Sequence, residues 1–219
     1  LIMNLSNPEF SLSKWIIKAF HKLYYNNSSQ TWDNTYWMGT KILKCPLDMW
    51  IYQEIFYELK PDLVIECGTN RGGSASFMAA LFDLIGNGRI LTIDIQEFEN
   101  RPQHPRVEYL LGSTIDAPIV EKVRSSIKPG EKVLVILDSD HADKHVYQEM
   151  NIYHQFVTSG SYMIVEDSNV HGHPVHKHHG PGPFESIERF LKHNNDFTID
   201  RTREKFMLTF NPTGYLKKR

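Results

Sequence analysis

Apolar residues recur at helical spacing over residues 11–25, where Trp15, Ile16, Ala19, Phe20, Leu23 and Tyr24 fall in register and Ser11 or Ser13 is available as an N-cap. Residues 26–44 lose that period. They are rich in Asn, Ser and Thr yet carry Trp32, Tyr36, Trp37 and Met38, which predicts an irregular segment that packs on something, as a lid or a dimer contact does. Pro46 opens a second predicted helix through Leu59, with Leu47, Trp50, Ile51, Glu54 and Ile55 in register, and Lys60-Pro61 ends it.

From residue 62 the pattern alternates. A short apolar run, DLVIEC (62–67), leads through a glycine-rich turn, GTNRGGS, into the amphipathic stretch ASFMAALFDLIG. Strands are then predicted at 89–94, 107–111, 132–138 and 161–167, and helices near 115–127 and over 143–158. Strands that are apolar on both faces and alternate with helices imply a parallel sheet covered on both sides. Pro183 can open a last helix through Asn194, and FTID followed by EKFMLTF predicts two closing strands. The turn between them, near residues 201–203, forces them antiparallel. The expected fold is therefore α/β: a Rossmann-like, doubly wound, mostly parallel seven-stranded sheet with an antiparallel C-terminal strand. Residues 1–60 are expected to form a helical N-terminal extension or lid, and residues 61–219 one domain.

Length and charge narrow the function. A chain of 219 residues suffices for one large α/β domain. The formal net charge of −2, with both signs interspersed, offers no basic footprint for nucleic acid or anionic lipid. The two cysteines, Cys45 and Cys67, are far apart and can build neither a disulfide framework nor a thiolate zinc site, which fits a cytoplasmic protein. Residues 1–13 lack a signal-peptide pattern, and no run reaches a membrane span. Residue 1 is Leu, so the native start is left open. A homo-oligomer is expected.

Glu66, Gly68, Thr69, Gly72 and Ser74 lie in the turn between the first core strand and its helix, where open α/β sheets bind ligands. Gly68 and Gly72 are expected to let the backbone approach a cofactor. Asp94 ends the next strand, 26 positions after Gly68, where a carboxylate can accept both ribose hydroxyls of a nucleoside. The spacing is G-x-x-x-G-G, with Asn70 at the position where a dinucleotide site carries its second glycine, so a cofactor without pyrophosphate is favoured.

Three carboxylates fall at strand ends on the same edge: Asp138, Glu166 and Asp167. Converging oxygens repel and raise one another's pKa, so a cation among them is the natural remedy, and an oxygen set without Cys favours Mg²⁺. His141, three residues after Asp138, has a pKa range suited to removing a proton from an acidified hydroxyl, and Asp140 can orient it. His171, His173, His176, His178 and His179 crowd the following loop; two of them with a carboxylate form the alternative of a ferrous oxygenase triad.

The motifs VIECGTNRGGSASF, RILTIDI, LDSDH, VEDSNVHGHPV, GPGPFESI and EKFMLTFNPTGYLKKR occur in order, with KCPLDMW ahead of them, and together they resemble the cephalosporin hydroxylase family. Members of that family look like class I methyltransferases, and related sequences are sugar or rhamnosyl O-methyltransferases; the core is also similar to catechol O-methyltransferase. The resemblance implies S-adenosyl-L-methionine as cofactor, with Glu66, Gly68, Gly72 and Ser74 around its methionine part, Asp94 on its ribose and Ser113 or Thr114 near adenine. It implies Asp138, Glu166 and Asp167 as ligands of Mg²⁺. It places His141 where the catechol enzymes carry a lysine base, and Glu-Asp where they carry Asp-Asn.

The function expected from these residues is metal-assisted O-methyl transfer to a hydroxyl of a small molecule, such as a sugar, glycoside or antibiotic-like product. Its rivals are a non-haem iron hydroxylase and a non-catalytic cofactor-binding subunit that assembles through the aromatic N-terminal segment. A nicotinamide dehydrogenase is disfavoured by the glycine spacing.

Overall fold

The computed structural model describes residues 8–178 and 180–219, with side chains from residue 11 onward; the readings of residues 1–7 and of His179 lie outside the described residues. Helix α1 (Pro8–Asn26) is followed by two single turns, Ser28–Gln30 and Trp32–Asn34, and by a small antiparallel hairpin of β1 (Tyr36–Trp37) and β2 (Thr40–Lys41). Helix α2 spans Pro46–Leu59 as predicted, opened by its proline and closed by Lys60 in the left-handed region, whose N–H bonds Phe56 O ahead of Pro61. Then come β3 (Leu63–Cys67), α3 (Gly73–Ile85), β4 (Arg89–Asp94), β5 (Val107–Leu111), α4 (Ala117–Ser126), β6 (Val133–Leu137), α5 (Asp143–Tyr153), β7 (Tyr162–Val165), α6 (Pro183–His193), β8 (Phe197–Ile199) and β9 (Tyr215–Lys218).

The large sheet runs β5-β4-β3-β6-β7-β9-β8, with the first five strands parallel and β9 antiparallel to both its neighbours. Every residue of β3, β6 and β7 is buried, as strands covered on both faces require. Successive side chains point to opposite faces and build two cores. On one face Leu63, Ile65, Val133, Val135 and Met163 pack against α4, α5 and α6 through residues such as Val123, Met150 and Phe190. On the other, Val64, Leu134, Ile136 and Ile164 pack against α2 and α3 through Ile51, Ile55, Phe56, Met78 and Phe82. Helix α2 is thus part of the sheet's cover, although it precedes the boundary expected at residue 60. No helix among the described residues is long and apolar enough to cross a membrane.

Three expectations need correction. The second closing strand is Tyr215–Lys218 and not the run at 204–210. The reason is Asp48 of α2, a buried carboxylate that accepts Thr209 Oγ1 at 2.5 Å, the Phe210 N–H at 2.8 Å and Tyr215 Oη at 2.8 Å. These bonds fix the segment as a loop and send Leu208 and Phe210 into a third, smaller core with Tyr25, Cys45, Val170 and Val175. Second, α1 begins before Ser11, so neither Ser11 nor Ser13 caps it. Third, α1 docks through His21, Tyr24 and Tyr25 onto Phe210, leaving Leu12, Trp15, Ile16, Phe20 and Leu23 exposed, Trp15 to 67%. Hydrophobic periodicity marked the helix but not the face that packs.

His21 makes that docking sensitive to pH. Its ring stacks on Phe210 with centroids 5.9 Å apart, and its Nε2 accepts Asn169 Nδ2 at 2.9 Å. Burial lowers its pKa from 6.5 to about 4. The unfolded chain therefore protonates first, and the contribution is complete above pH 6.5 and lost as pH falls toward 4, a change of about 3 kcal/mol. Thermal melts across this interval will show the loss in the wild type and a flatter profile in His21→Gln; parallel profiles would assign the titration elsewhere.

Candidate active site at the carboxyl edge of the sheet

The carboxyl ends of β3 to β7 open into one cavity of about 660 Å³, a size ordinary for a small-molecule site. Its floor carries Gly68, Thr69, Ser74, Ile93, Asp94 and Asp138, and one end carries Ser113, Thr114, Ser139 and His145. Lys41, Ile42, Leu43, Tyr25 and Trp32 also line it, so the N-terminal arm contributes to the wall.

The glycines are needed for close approaches within the chain itself. A Cβ on Gly68, whose φ is +100°, would overlap the Asp138 carbonyl. One on Gly72 would lie 2.9 Å from Tyr109 Oη, and one on Gly73 would overlap Lys41 O and sit 2.8 Å from Ile42 Cα. These close approaches seat the turn against the chain's own backbone and bring the arm down over the cavity. Of the residues expected at a cofactor, Gly68, Thr69, Ser74, Asp94, Ser113, Thr114 and Asp138 line the cavity, whereas Gly72 and Glu66 do not. Glu66 is fully buried beneath it, accepting Thr92 Oγ1 at 2.6 Å, and Thr92 in turn meets Thr69 Oγ1 at 2.6 Å. Burial pushes the Glu66 carboxyl up to about 7 against the pull of Lys44 and of two hydroxyls. Asp94 is fixed by the N–H groups of Asn70, at 2.6 Å, and Gln96, at 2.8 Å. Its remaining lone pairs, with Ile95 and Phe98 nearby, suit the diol and base of a nucleoside.

At the other end Asp138, His141 and Asp167 each offer a ligand atom, all within 4.8 Å of one another. Glu166 is not in this group. Asp167 adopts a left-handed conformation, φ 51°, and the two consecutive carboxylates meet different partners. Asp167 Oδ2 meets His141 Nε2 at 3.1 Å, while Glu166 is buried, with Oε1 accepting Tyr52 Oη at 2.6 Å and Oε2 paired with Lys44 Nζ at 2.6 Å. The same ammonium pairs with Asp138 Oδ2. Burial raises the pKa of all three carboxyls, and Lys44 opposes the rise in each. Three carboxylates against one ammonium leave an excess of about two negative charges, so a divalent ion fits the donor set.

Sequence reasoning missed Lys44 and Tyr52, which lie about a hundred residues from their partners. It also missed Glu149, fully buried on α5, which accepts Thr114 Oγ1 at 2.5 Å and Ser139 Oγ at 2.6 Å and faces His145 Nε2 at 3.3 Å. The hydrogen bond to Glu149 raises the His145 pKa. The i, i+4 spacing of His145 and Glu149 was the available signal. Among the histidines of the loop, His171 and His176 line an open cleft of about 430 Å³ that shares Asp140 and His141 with the main cavity. His173 instead stacks on Phe184 at 3.8 Å and pairs with Glu185 at 2.7 Å. Among the described residues no histidine of this loop joins a carboxylate cluster able to hold iron.

Residues 29–219 match the family described as Rhamnosyl O-methyltransferase/CmcI. The chain is 41% identical over 208 residues to a rhamnosyl O-methyltransferase of Mycobacterium leprae, covering 92% of this chain and 90% of that protein. It is 41% identical over 209 residues to the rhamnosyl O-methyltransferase of Mycobacterium bovis BCG, covering 92% and 84%. A CmcI structure described as holding Mg and SAM superposes with a TM-score of 0.64 at 20% identity, over 85% of this chain and 77% of that one. At that identity the likeness carries the fold: the class I methyltransferase arrangement.

The approach of Gly73 to the arm is testable. Gly73 is helical, so with open space alanine would stabilise the helix by about 0.5–1 kcal/mol. We expect Gly73→Ala to destabilise by about 1–3 kcal/mol instead and to speed tryptic cleavage at Lys41 and Lys44. A higher melting temperature with unchanged proteolysis would contradict the contact.

Proposed function

The chain belongs to the Rhamnosyl O-methyltransferase/CmcI family, and on that premise we propose that it is a metal-assisted, S-adenosylmethionine-dependent O-methyltransferase whose acceptor is a sugar hydroxyl. The observation that carries the reading is the cluster of Asp138, His141 and Asp167 at the mouth of a nucleoside-sized cavity. Its support comes from relatives named rhamnosyl O-methyltransferases.

When bound, S-adenosylmethionine supplies an electrophilic methyl group and the divalent ion lowers the pKa of an acceptor hydroxyl. Asp94 would hold the ribose diol, Ser113 and Thr114 would lie near the base, and Ser74 and Thr69 would stand near the amino-acid part. Asp138 and Asp167 are the carboxylates that would hold the ion. His141 Nε2 lies 3.1 Å from Asp167 Oδ2, and this imidazole is the group that would accept the hydroxyl proton. Tyr25 and Trp32 flank this end of the cavity, with rings stacked at 5.1 Å, and form an apolar wall for the acceptor. The chain's own part in the rate is positioning: two reacting groups held at near-attack distance account for roughly 7–11 kcal/mol.

Incubation with labelled S-adenosylmethionine, Mg²⁺ and a panel of rhamnosides tests the reading, and EDTA is expected to abolish transfer. Asp138→Ala should be inactive yet retain part of its cofactor affinity; transfer by this variant at the wild-type rate in EDTA would defeat the metal role. For His141→Gln we expect kcat to fall by about 10²–10⁴ while Mn²⁺ binding stays close to wild type. A variant that loses Mn²⁺ in proportion to kcat would make His141 a ligand and not the base.

A further inference from the structure

The outward face of α1 serves neither the cores nor the cavity. At about 100° per residue, Leu12, Trp15, Ile16, Phe20 and Leu23 fall on one arc of about 140°, and each is half exposed or more. Lys18 and Lys22 lie beside Trp15, between this stripe and the face that docks through His21 and Tyr25, and Lys14 continues the row one turn earlier. All three lysines are exposed. Residues 10–32 contain no Asp or Glu, so the net charge of −2 for the whole chain conceals a local surface that is cationic and apolar together. The family match begins at residue 29, so α1 lies wholly ahead of it.

We propose that α1 binds an anionic lipid surface, with its apolar stripe in the boundary between headgroups and acyl chains and its lysines at the lipid phosphates. An interfacial helix needs this combination: apolar side chains, a tryptophan among them, enter the boundary, and lysine stems reach back to the headgroups. A second copy of the helix is a poorer partner. Twofold antiparallel pairing through the stripe sets lysine row against lysine row, and parallel pairing sets the row against Ser13, Ile17 and Tyr24, which carry no negative charge. Nucleic acid would engage the lysines and leave the stripe in water. Because Tyr25, on the inner side of the same helix, lines the cavity, the lipid surface lies one helix diameter, about 10 Å, from that wall.

The test is co-sedimentation of the full chain with sucrose-loaded vesicles, made either of phosphatidylcholine alone or of phosphatidylcholine and phosphatidylglycerol in equal parts. The wild type should partition onto the anionic vesicles at least about tenfold more strongly than onto the neutral ones, and the preference should shrink as salt rises from about 0.05 to 0.5 M. Ile16→Ser/Phe20→Ser alters the stripe without touching the docked face; it should melt at the wild-type temperature and lose at least about tenfold in partition. Lys18→Gln/Lys22→Gln should lose about tenfold on the anionic vesicles and little on the neutral ones. Tryptophan quenching by brominated lipid, present in the wild type and diminished in Trp15→Leu, is expected from contact through this face.

Absence of vesicle binding by the wild type overturns the proposal, and so does equal binding to neutral and anionic vesicles or binding that survives Ile16→Ser/Phe20→Ser unchanged. A wild type that is dimeric by light scattering, becomes monomeric in Ile16→Ser/Phe20→Ser and ignores vesicles would give the face to a second copy and overturn it equally. Should Ile16→Ser/Phe20→Ser melt lower than wild type, Lys18→Gln/Lys22→Gln and the Trp15→Leu quenching decide: loss of anionic binding and of quenching supports the lipid surface, and retention of both overturns it.

Discussion

Carboxylates at the ends of adjacent parallel strands must be reconciled with burial, and much of the architecture around the site follows from how this is done. Asp138 and Glu166 end β6 and β7, which are neighbours in the sheet, and Glu66 lies in β3 on the other side of β6. Left alone, three such groups in a low-dielectric setting would not all ionise. Lys44 and Tyr52 answer the charge and the hydrogen-bonding demand of Glu166, and both come from the N-terminal quarter of the chain. The segment before the first core strand is consequently bound into the centre of the molecule by electrostatics as well as by apolar packing of α2.

A second constraint is steric. The turn after β3 lies so close to Asp138 that no side chain fits at Gly68, and α3 starts so close to the arm that none fits at Gly73. These two positions lock together the turn after β3, the end of β6 and the arm. An active site assembled from four separated stretches of chain needs such fixed distances, because displacements of an ångström are enough to lose alignment of reacting groups.

The sheet was legible in the sequence because its strands are buried on both faces and bounded by turn residues; β3, β4 and β5 fall where the apolar runs predicted. The failures have specific causes. EKFMLTF looks like a strand, but Asp48, about 160 residues away, recruits its backbone and hydroxyl groups into a loop. The outward stripe of α1 resembles a core face, while the face that docks uses His21 and two tyrosines. Asp138 and Asp167 were visible as strand-end acids, as was the adjacent His141. The contacts of Glu166 with Lys44 and Tyr52 were not, because both partners come from the segment ahead of the first core strand. Local pattern reports elements; pairing across the fold decides where polar side chains point.

The two ends of the cavity solve the burial of charge in different ways, and the difference fits their tasks. At the Ser113–Thr114 end the buried Glu149 is engaged locally through Oε1, by the hydroxyls of Thr114 and Ser139 and by His145 one helical turn away. At the other end the compensation is incomplete: one ammonium for three carboxylates, with His141 partly exposed where the second cleft opens. A wall of locally hydrogen-bonded polar groups is suited to shape and hydrogen-bond recognition of a ligand. A residual negative charge beside an accessible imidazole is suited to holding a cation and moving a proton, so the asymmetry of charge along the cavity accords with the proposed function, recognition at one end and chemistry at the other.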